Sequence, residues 1–583
     1  MPKNQMKRTR VETTVHDEAH RSNIPTNELG SYLTDQEKEP RAILYPRDPS
    51  LDPQLVWKGK DEQDRHPLEV PAVPIYIQEK IQPKALIEAL RAEKAEAEAQ
   101  LSLWGDFNGI DFEDLVEFYQ HEQNWSNRMI LGDSLLAMTS LAEKEGLKGQ
   151  VQMIYMDPPY GIKFGSNWQV STRKRDVRDG KAEDATRQPE QVKAFRDTWE
   201  LGIHSYLSYL RDRLVAARQL LASSGSIFVQ IGDQNLHVVR SVMDEIFGLD
   251  NFCSQIAFKK TSGATSELLA GVTDYILWYA LDRSKVKYRS LYWSKSRPED
   301  RQQYSWIRDT DGHFRPLRPD EDGDTLPRLR HSPLTSQRPP GDFPVVFGDR
   351  EYRPKTGYWK TNHEGMEKLI CADRLVALGN TLEYVRYLSD FPVSPYTSLW
   401  DDTVTSGFAD PKAYVVQTNT KVPSRCILMT TDPGDLVVDP TCGSGTTAYV
   451  AEQWGRRWIT IDTSRVALAL ARQRLMAAKL PYYMLADSVE GARALAERSG
   501  DLATAGRPTS GDIRQGFVYH TVPHVTLKSI ANNPDICGGM THDEINAAIA
   551  RHATRKPSTI SRTRTQRWSA SPDPSRSRAC HHT

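Results

Sequence analysis

The sequence predicts an α/β fold, a largely parallel sheet flanked by helices and interrupted by an irregular insert. Three observations carry that reading. From Asn127 onward, short apolar runs alternate with amphipathic stretches of helical length. Two of the runs end in acid-bearing turns, "MIYMDPPYG" and "LVVDPTCGSGTTA". Between these turns, residues 284–400 lose the alternation and become dense in Pro, Gly, Arg and aromatics, which predicts short strands and long loops.

Bulk properties narrow the class. A chain of 583 residues is too long for one ordinary core, so two or three structural units are expected. With 38% hydrophobic and 26% charged residues the composition is that of a globular protein. A net charge of −1 leaves no global footprint for a polyanion, so a nucleic-acid surface has to be a local patch. The basic start has no apolar run behind it and no stretch approaches a membrane span, which points to a cytoplasmic protein. Six scattered cysteines form no CxxC pair, so neither a disulfide framework nor a metal site is expected.

The elements follow in order. Residues 1–125 form an N-terminal extension. Its first 80 positions are polar and punctuated by proline, hence extended or partly disordered. "PKALIEALRAEKAEAEAQLSLW" then reads as an amphipathic packing or dimerisation helix opening at Pro83. Within 126–283, "RMILGD" is a strand, and "SLLAMTSLAEKEG" is a helix capped by Ser134 and stopped by Gly146. "VQMIYM" is a buried strand. A long helix ends at Gly225, "SIFVQIG" is a strand, "QNLHVVRSVMDEIFG" a helix and "TDYILWYAL" a strand. After the 284–400 insert, 401–490 resumes the alternation, with "DLVVDP" and "RRWITID" as strands and a helix after each. A C-terminal segment spans 491–554, and a basic tail spans 555–583.

The first turn poses a chemical question. Proline lacks an N–H and fixes φ, so Pro158 and Pro159 end the strand ladder and leave carbonyls pointing outward. Asp157 adds carboxylate oxygens and Tyr160 a flat ring. Such a turn suits a planar group that carries N–H donors. In the second turn, Asp439 closes a strand, Gly443 and Gly445 let backbone approach a ligand, and the following helix presents its N–H groups. Asp462, at the end of the next strand, is placed to accept the hydroxyls of a ribose. The third glycine of a dinucleotide fingerprint is missing, and no Gly-Lys-Ser/Thr follows as in a P-loop.

Together "DPPY" and "DPTCGSGTT" resemble the S-adenosylmethionine-dependent amino-methyltransferases of DNA. Because the first motif precedes the second, the order is similar to their beta group, and within it to the modification subunits of type III restriction systems. The likeness covers roughly Asn127 to Asp487. It implies a circularly permuted Rossmann-like sheet in which the strands ending at Asp439, Asp462, Asp133 and Asp157 are neighbours. It further implies that Asp133, Asp439, Thr441, Cys442, Gly443, Ser444, Gly445, Thr446 and Asp462 hold S-adenosyl-L-methionine, with Asp133 near its adenine. Asp157, Pro158, Pro159 and Tyr160 would act on the target base. Two departures stand out: Thr441 replaces a common Phe, and Asp487 competes with Asp133 for the third-strand acid.

The implied chemistry is direct methyl transfer to adenine N6. If Asp157 and the Pro158 carbonyl each accept one amino hydrogen, the nitrogen lone pair is drawn out of conjugation, while Tyr160 stacks on a base flipped from double-stranded DNA. A cytosine-N4 methyltransferase and a non-catalytic DNA-recognition subunit are the alternatives. Cytosine-C5 chemistry needs a Pro-Cys step that this chain lacks. A nicotinamide oxidoreductase leaves "DPPY" unexplained. The insert is the expected target-recognition region, with Arg350, Arg353, Lys355, Trp359 and Lys360 as DNA contacts. A restriction or defence subunit and a second copy of the chain are the expected partners. The tail from Arg555 holds seven Lys or Arg against Asp573 and reads as a disordered basic terminus. With suitable synonymous codons, a shifted frame over Lys556 to Arg564 can read Thr-Leu-Tyr-Asp-Gln-Pro-Tyr-Glu-Asp, so a frameshift near Arg555 is the competing account.

Overall fold

The computed structural model describes residues 40–43, 55–72, 75, 125, 127–160 and 202–563, apart from 262, 264–267, 297–300, 310, 322–325, 340, 405–417, 479, 482 and 500–505. Its centre is an eight-stranded sheet. In chain order the elements around it are β1 (Arg128–Leu131), α1 (Ser134–Glu143), β2 (Val151–Met156), α2 (Ile203–Leu220), β3 (Leu221–Ile231), α3 (Leu236–Phe247), β4 (Phe252–Lys259) and β5 (Thr273–Ala280). After the insert come β6 (Leu399–Trp400), α4 (Lys421–Thr430), β7 (Leu436–Asp439), α5 (Thr446–Gln453), β8 (Arg457–Asp462) and α6 (Arg465–Met476). The strands lie in the order β6-β4-β5-β3-β2-β7-β8-β1. Only β5 runs against its neighbours; every other pairing is parallel.

A strand buried on both faces must be apolar on both, and β2 is buried along its whole length. Its residues alternate between two cores. Ile154 and Met156 join α1, α2 and α3 on one side of the sheet, whereas Met153 and Tyr155 join α4 and α5 on the other. The strands that come late in the chain are inserted among the early ones. Met153 and Ile154 pair with Val437 and Val438, and Leu131 pairs with Asp462. This is the permuted sheet implied by the resemblance to the amino-methyltransferases of DNA.

Several local expectations are corrected. Helix α1 is capped by Asp133, not Ser134: the aspartate accepts from the N–H groups of Leu135 and Leu136. The long helix stops at Leu220, and Gly225 lies inside β3, at a bulge opposite Val151. A Cβ there would stand 2.8 Å from the Ala222 carbonyl oxygen. Part of the N-terminal extension is docked rather than loose. Trp57 is buried and donates to Ser208 Oγ at 2.9 Å, Lys60 pairs with Glu245, and Asp64 pairs with Arg211 at 2.9 Å. The amphipathic helix expected from Pro83 lies outside the described residues.

The insert has its own five-stranded antiparallel sheet, in the order Phe314–Pro316, Trp306–Arg308, Arg328–Pro333, Thr381–Tyr387, Leu375–Leu378. It is not closed on itself. Leu334, Trp359, Met366 and Leu369 share one core with Ile530, Ile545 and Ile549 of the C-terminal segment, so residues expected in two units pack as one. At its far boundary, Leu399–Trp400 is a strand of the central sheet. The tail also departs from expectation. Thr554–Arg562 is a strand paired with Tyr519–His524, and Arg562 is buried against the rings of Trp454, Tyr483 and Phe517. Residues 564–583 lie outside the described residues.

Trp359 was expected to touch DNA, but it is 2% exposed and its indole N–H is used by the Phe343 carbonyl at 2.9 Å. Truncating a buried tryptophan costs about 3–5 kcal/mol. Trp359→Ala should therefore lower the thermal midpoint and open the 300–395 region to protease. An unchanged melting curve would contradict its placement in the shared core.

Candidate active site

Strands β2, β7, β8 and β1 are adjacent and parallel, so Asp157, Asp439, Asp462 and Asp133 follow one another along one carboxyl edge of the sheet. Open α/β sheets hold their ligands at this edge. Asp487 is not part of it. Its carboxylate accepts from the Ser510 hydroxyl and the N–H groups of Ser510 and Asp512, away from the central strands. The acid beside Asp462 is thus Asp133.

The four carboxylates are engaged differently. Asp133 spends one oxygen on the cap of α1 and the other on an ion pair with Arg213. Asp462 takes one N–H on each oxygen, from Gly443 and from Ser464, both at 2.8 Å, which leaves acceptor capacity on each. Burial pushes its carboxyl up to about 6 against those backbone bonds. Burial does the same for Asp439, also to about 6, opposed by hydrogen bonds from Thr447 and Thr441. Asp157 is pushed furthest, to about 8, by burial first and then by the charges of Asp439 and Asp274. Among the described residues, none of these three has a basic ion-pair partner. The site therefore suits a ligand that brings a positive charge.

The loop after β7 is built for close approach. Gly443 and Gly445 have φ of 52° and 71°, and a Cβ on Gly445 would meet the Ala471 Cβ at 2.7 Å. The buried hydroxyls of Ser444 and Thr446 lie 3.1 Å apart, with Arg474 Nη1 at 2.9 Å from Thr446 Oγ1. These two side chains brace the loop from behind. Cys442 is likewise buried. Gly445 precedes α5 and supplies no side-chain cap, so the first N–H groups of that helix have no side-chain acceptor from it.

Thr441 joins the two motifs. Its hydroxyl oxygen accepts from the Asp157 N–H at 2.8 Å and lies 3.2 Å from Asp439 Oδ1, to which its hydrogen can point. A phenylalanine here could make neither bond. On the other side of Asp157 stands a polar cluster that sequence reasoning missed. Gln230, at the end of β3, places Nε2 at 3.2 Å from Asp157 Oδ2 and 2.7 Å from the Tyr160 hydroxyl. Thr418 donates to the same Asp157 oxygen at 3.3 Å. Tyr160 also reaches Asp274, which pairs with Lys260 at 2.7 Å, and its ring lies against Gly232, where a Cβ would come within 3.1 Å. The signal available in the sequence was a glutamine inside the apolar run Ile227–Ile231, since a buried amide must find partners.

In the insert, Arg350, Arg353, Lys355 and Lys360 are exposed. Arg350 is held by Asn380, Arg353 by Glu351 at 3.2 Å, and Lys360 by the Pro333 carbonyl at 2.6 Å. Of the five residues expected at a nucleic-acid surface, Trp359 alone is removed by burial.

Comparison with known proteins agrees with this geometry. A family model described as DNA methylase matches residues 151–473. The type II methyltransferase M.EcaI of Enterobacter cloacae is 28% identical over 374 residues, covering 61% of this chain and 70% of that protein. The type III restriction-modification enzyme StyLTI Mod subunit of Salmonella typhimurium is 25% identical over 380 residues, covering 60% of this chain and 54% of the relative. The chain thus spans little more than half the length of that type III relative.

The raised carboxyls make stability depend on pH with a definite sign. Their folded values lie above the unfolded carboxylate range. Their contribution is therefore fully present below about pH 4, and is lost as pH rises through about 6 for Asp439 and Asp462 and about 8 for Asp157. The thermal midpoint of the ligand-free protein should fall from about pH 5 to about pH 8.5, and Asp157→Asn should remove the upper part of the fall. A profile unaffected by Asp157→Asn would refute the assignment.

Proposed function

This chain belongs to the DNA methylase family, and we propose that it transfers a methyl group to the N6 amino group of adenine in double-stranded DNA. The methyl donor is S-adenosyl-L-methionine, which supplies an electrophilic methyl on a sulfonium cation. The observation that carries the reading is the juxtaposition of Asp157 with Asp439, latched through Thr441 across 284 positions of sequence. This brings the acceptor of an amine against the strand end that receives a cofactor.

The residues present fit that cofactor. Asp439 and Asp462 are desolvated acids without basic partners among the described residues, so a cationic ligand stabilises their charged form. The loop Cys442–Thr446 and the N-terminus of α5 would receive its carboxylate end, and Asp462 keeps acceptor capacity for ribose hydroxyls. Thr441, by contrast, faces Asp157 and Asp439.

Each part of the turn then has a role. Gln230 and Thr418 both engage Asp157 Oδ2, which leaves Oδ1 to one amino hydrogen of the target base. The Pro158 carbonyl takes the other. With both hydrogens held, the nitrogen turns toward tetrahedral geometry and its lone pair becomes nucleophilic. Tyr160 stacks on the flipped base, its hydroxyl tethered to Gln230 and Asp274. Catalysis comes from positioning and electrostatics. The insert supplies sequence readout through Arg350, Arg353, Lys355 and Lys360. By likeness to the Mod subunits, the chain serves as the modification component of a restriction or defence system in the cytoplasm, with a restriction subunit or a second copy of itself as partner. No helix among the described residues is long and apolar enough to cross a membrane.

Asp157→Ala should abolish methyl transfer from radiolabelled S-adenosylmethionine to DNA while cofactor affinity changes less than about threefold. A tenfold loss of cofactor affinity would move Asp157 out of the amine-binding role. Asp462→Ala should do the reverse, weakening the cofactor by about tenfold or more and sparing DNA binding. Exchanging residues 300–365 for those of a relative should change which sequences are modified, read by mapping methylated bases, and unchanged preference would place recognition elsewhere.

A further inference from the structure

Gln230 is a buried polar side chain, 3% exposed, near the end of a strand whose neighbouring residues Ile227, Phe228, Val229 and Ile231 are buried and apolar. Burying an amide without partners is costly, and here the partners are Tyr155 from the core and Asp157, Tyr160 and Thr418 of the candidate active site. Its Oε1 receives the Tyr155 hydroxyl at 2.6 Å. Burial holds the Tyr155 phenol protonated, so that hydroxyl is a donor and the amide is turned with its oxygen toward it. Nε2 must then face the other way. Its two hydrogens have three acceptors in reach: the Tyr160 hydroxyl at 2.7 Å, Thr418 Oγ1 at 3.0 Å and Asp157 Oδ2 at 3.2 Å.

We propose that Gln230 is a positioning residue for methyl transfer. Its amide, oriented by Tyr155, anchors Asp157 Oδ2 and the Tyr160 hydroxyl together and so presents Oδ1 to the target amine. This rests on the reading of Asp157 as the acceptor of that amine. The arrangement ties the acceptor and the stacking ring to one rigid strand, so both are set before DNA arrives. The groups that face Asp157 are Asp439 from β7, Asp274 from β5 with Lys260 behind it just past β4, Tyr155 from β2, Tyr206 from α2, Tyr160 from its own turn and Thr418 ahead of α4. Gln230 and Thr418 are the neutral donors that offset this acidic surrounding.

Gln230→Glu keeps the shape, exchanges the donor for an acceptor and adds a charge beside Asp157. At saturating cofactor and DNA, its transfer rate near pH 7.5 should fall at least about tenfold, while S-adenosylmethionine affinity stays within about threefold. The acid limb of its rate–pH profile should move up by about one unit, because the Asp157 carboxylate becomes harder to form. Gln230→Leu should lose rate with a much smaller displacement of that limb. Thermal melting of both variants separates these effects from misfolding. Wild-type transfer and its loss in Asp157→Ala are the references for the proposed function. With both in hand, a Gln230→Glu enzyme within twofold of wild type and with an unmoved profile overturns the inference alone. A parallel loss of cofactor affinity overturns it as well, by making Gln230 a support of the cofactor pocket.

Discussion

Parallel pairing of Met153 and Ile154 with Val437 and Val438 is the constraint on which the rest of this molecule depends. It joins two strands separated by about half of the chain, and it alone sets the turn at Asp157 beside the turn at Asp439. In a parallel ladder both strands end at the same edge, so the register brings both acids to one place without any direct attraction between them. Their proximity is in fact unfavourable, since each charge raises the cost of the other. The pairing is stabilised by the two cores that β2 feeds, one on each face. The Thr441 hydroxyl then removes the last freedom between the two turns.

Seen this way, the site is electrostatically strained by design of its surroundings. Three carboxyls share a buried edge with no described cation among them, while the acids farther out are neutralised: Asp133 by Arg213, Asp274 by Lys260. The contrast separates scaffold from site. Acids that hold the fold have partners within the fold, and acids that await a ligand are left with neutral donors such as Thr418, Gln230 and backbone N–H groups.

Much of this was legible in the sequence, and the part that was not has physical reasons. The strands were marked by apolar runs bounded by turn residues, and the resemblance carried by the two motifs implied that the strands bearing the four acids are neighbours. The cap of α1 was misplaced by one residue because Asp133 and Ser134 are both good caps and only the geometry chooses between them. Trp359 sits among exposed basic residues in the chain, so composition suggested a contact surface, but its ring points into a core assembled from a distant segment. Trp57 and Lys60 are single anchors without periodicity, which is why the segment around them read as loose. Gln230 escaped notice because its importance lies wholly in partners from other strands and turns.

Insertion of late strands among early ones has a consequence for how this protein is made. Strand β1 and the open side of β2 leave the ribosome about 300 residues before β8 and β7 can cover them. At ~5–20 residues per second, that is a wait on the order of half a minute. Through that interval the nascent chain carries an apolar, unpaired strand edge, the feature most prone to wrong pairing with a neighbour. Yield in the cell should therefore be governed by elongation speed and by chaperones that shield the first half, more than by the stability of the finished sheet.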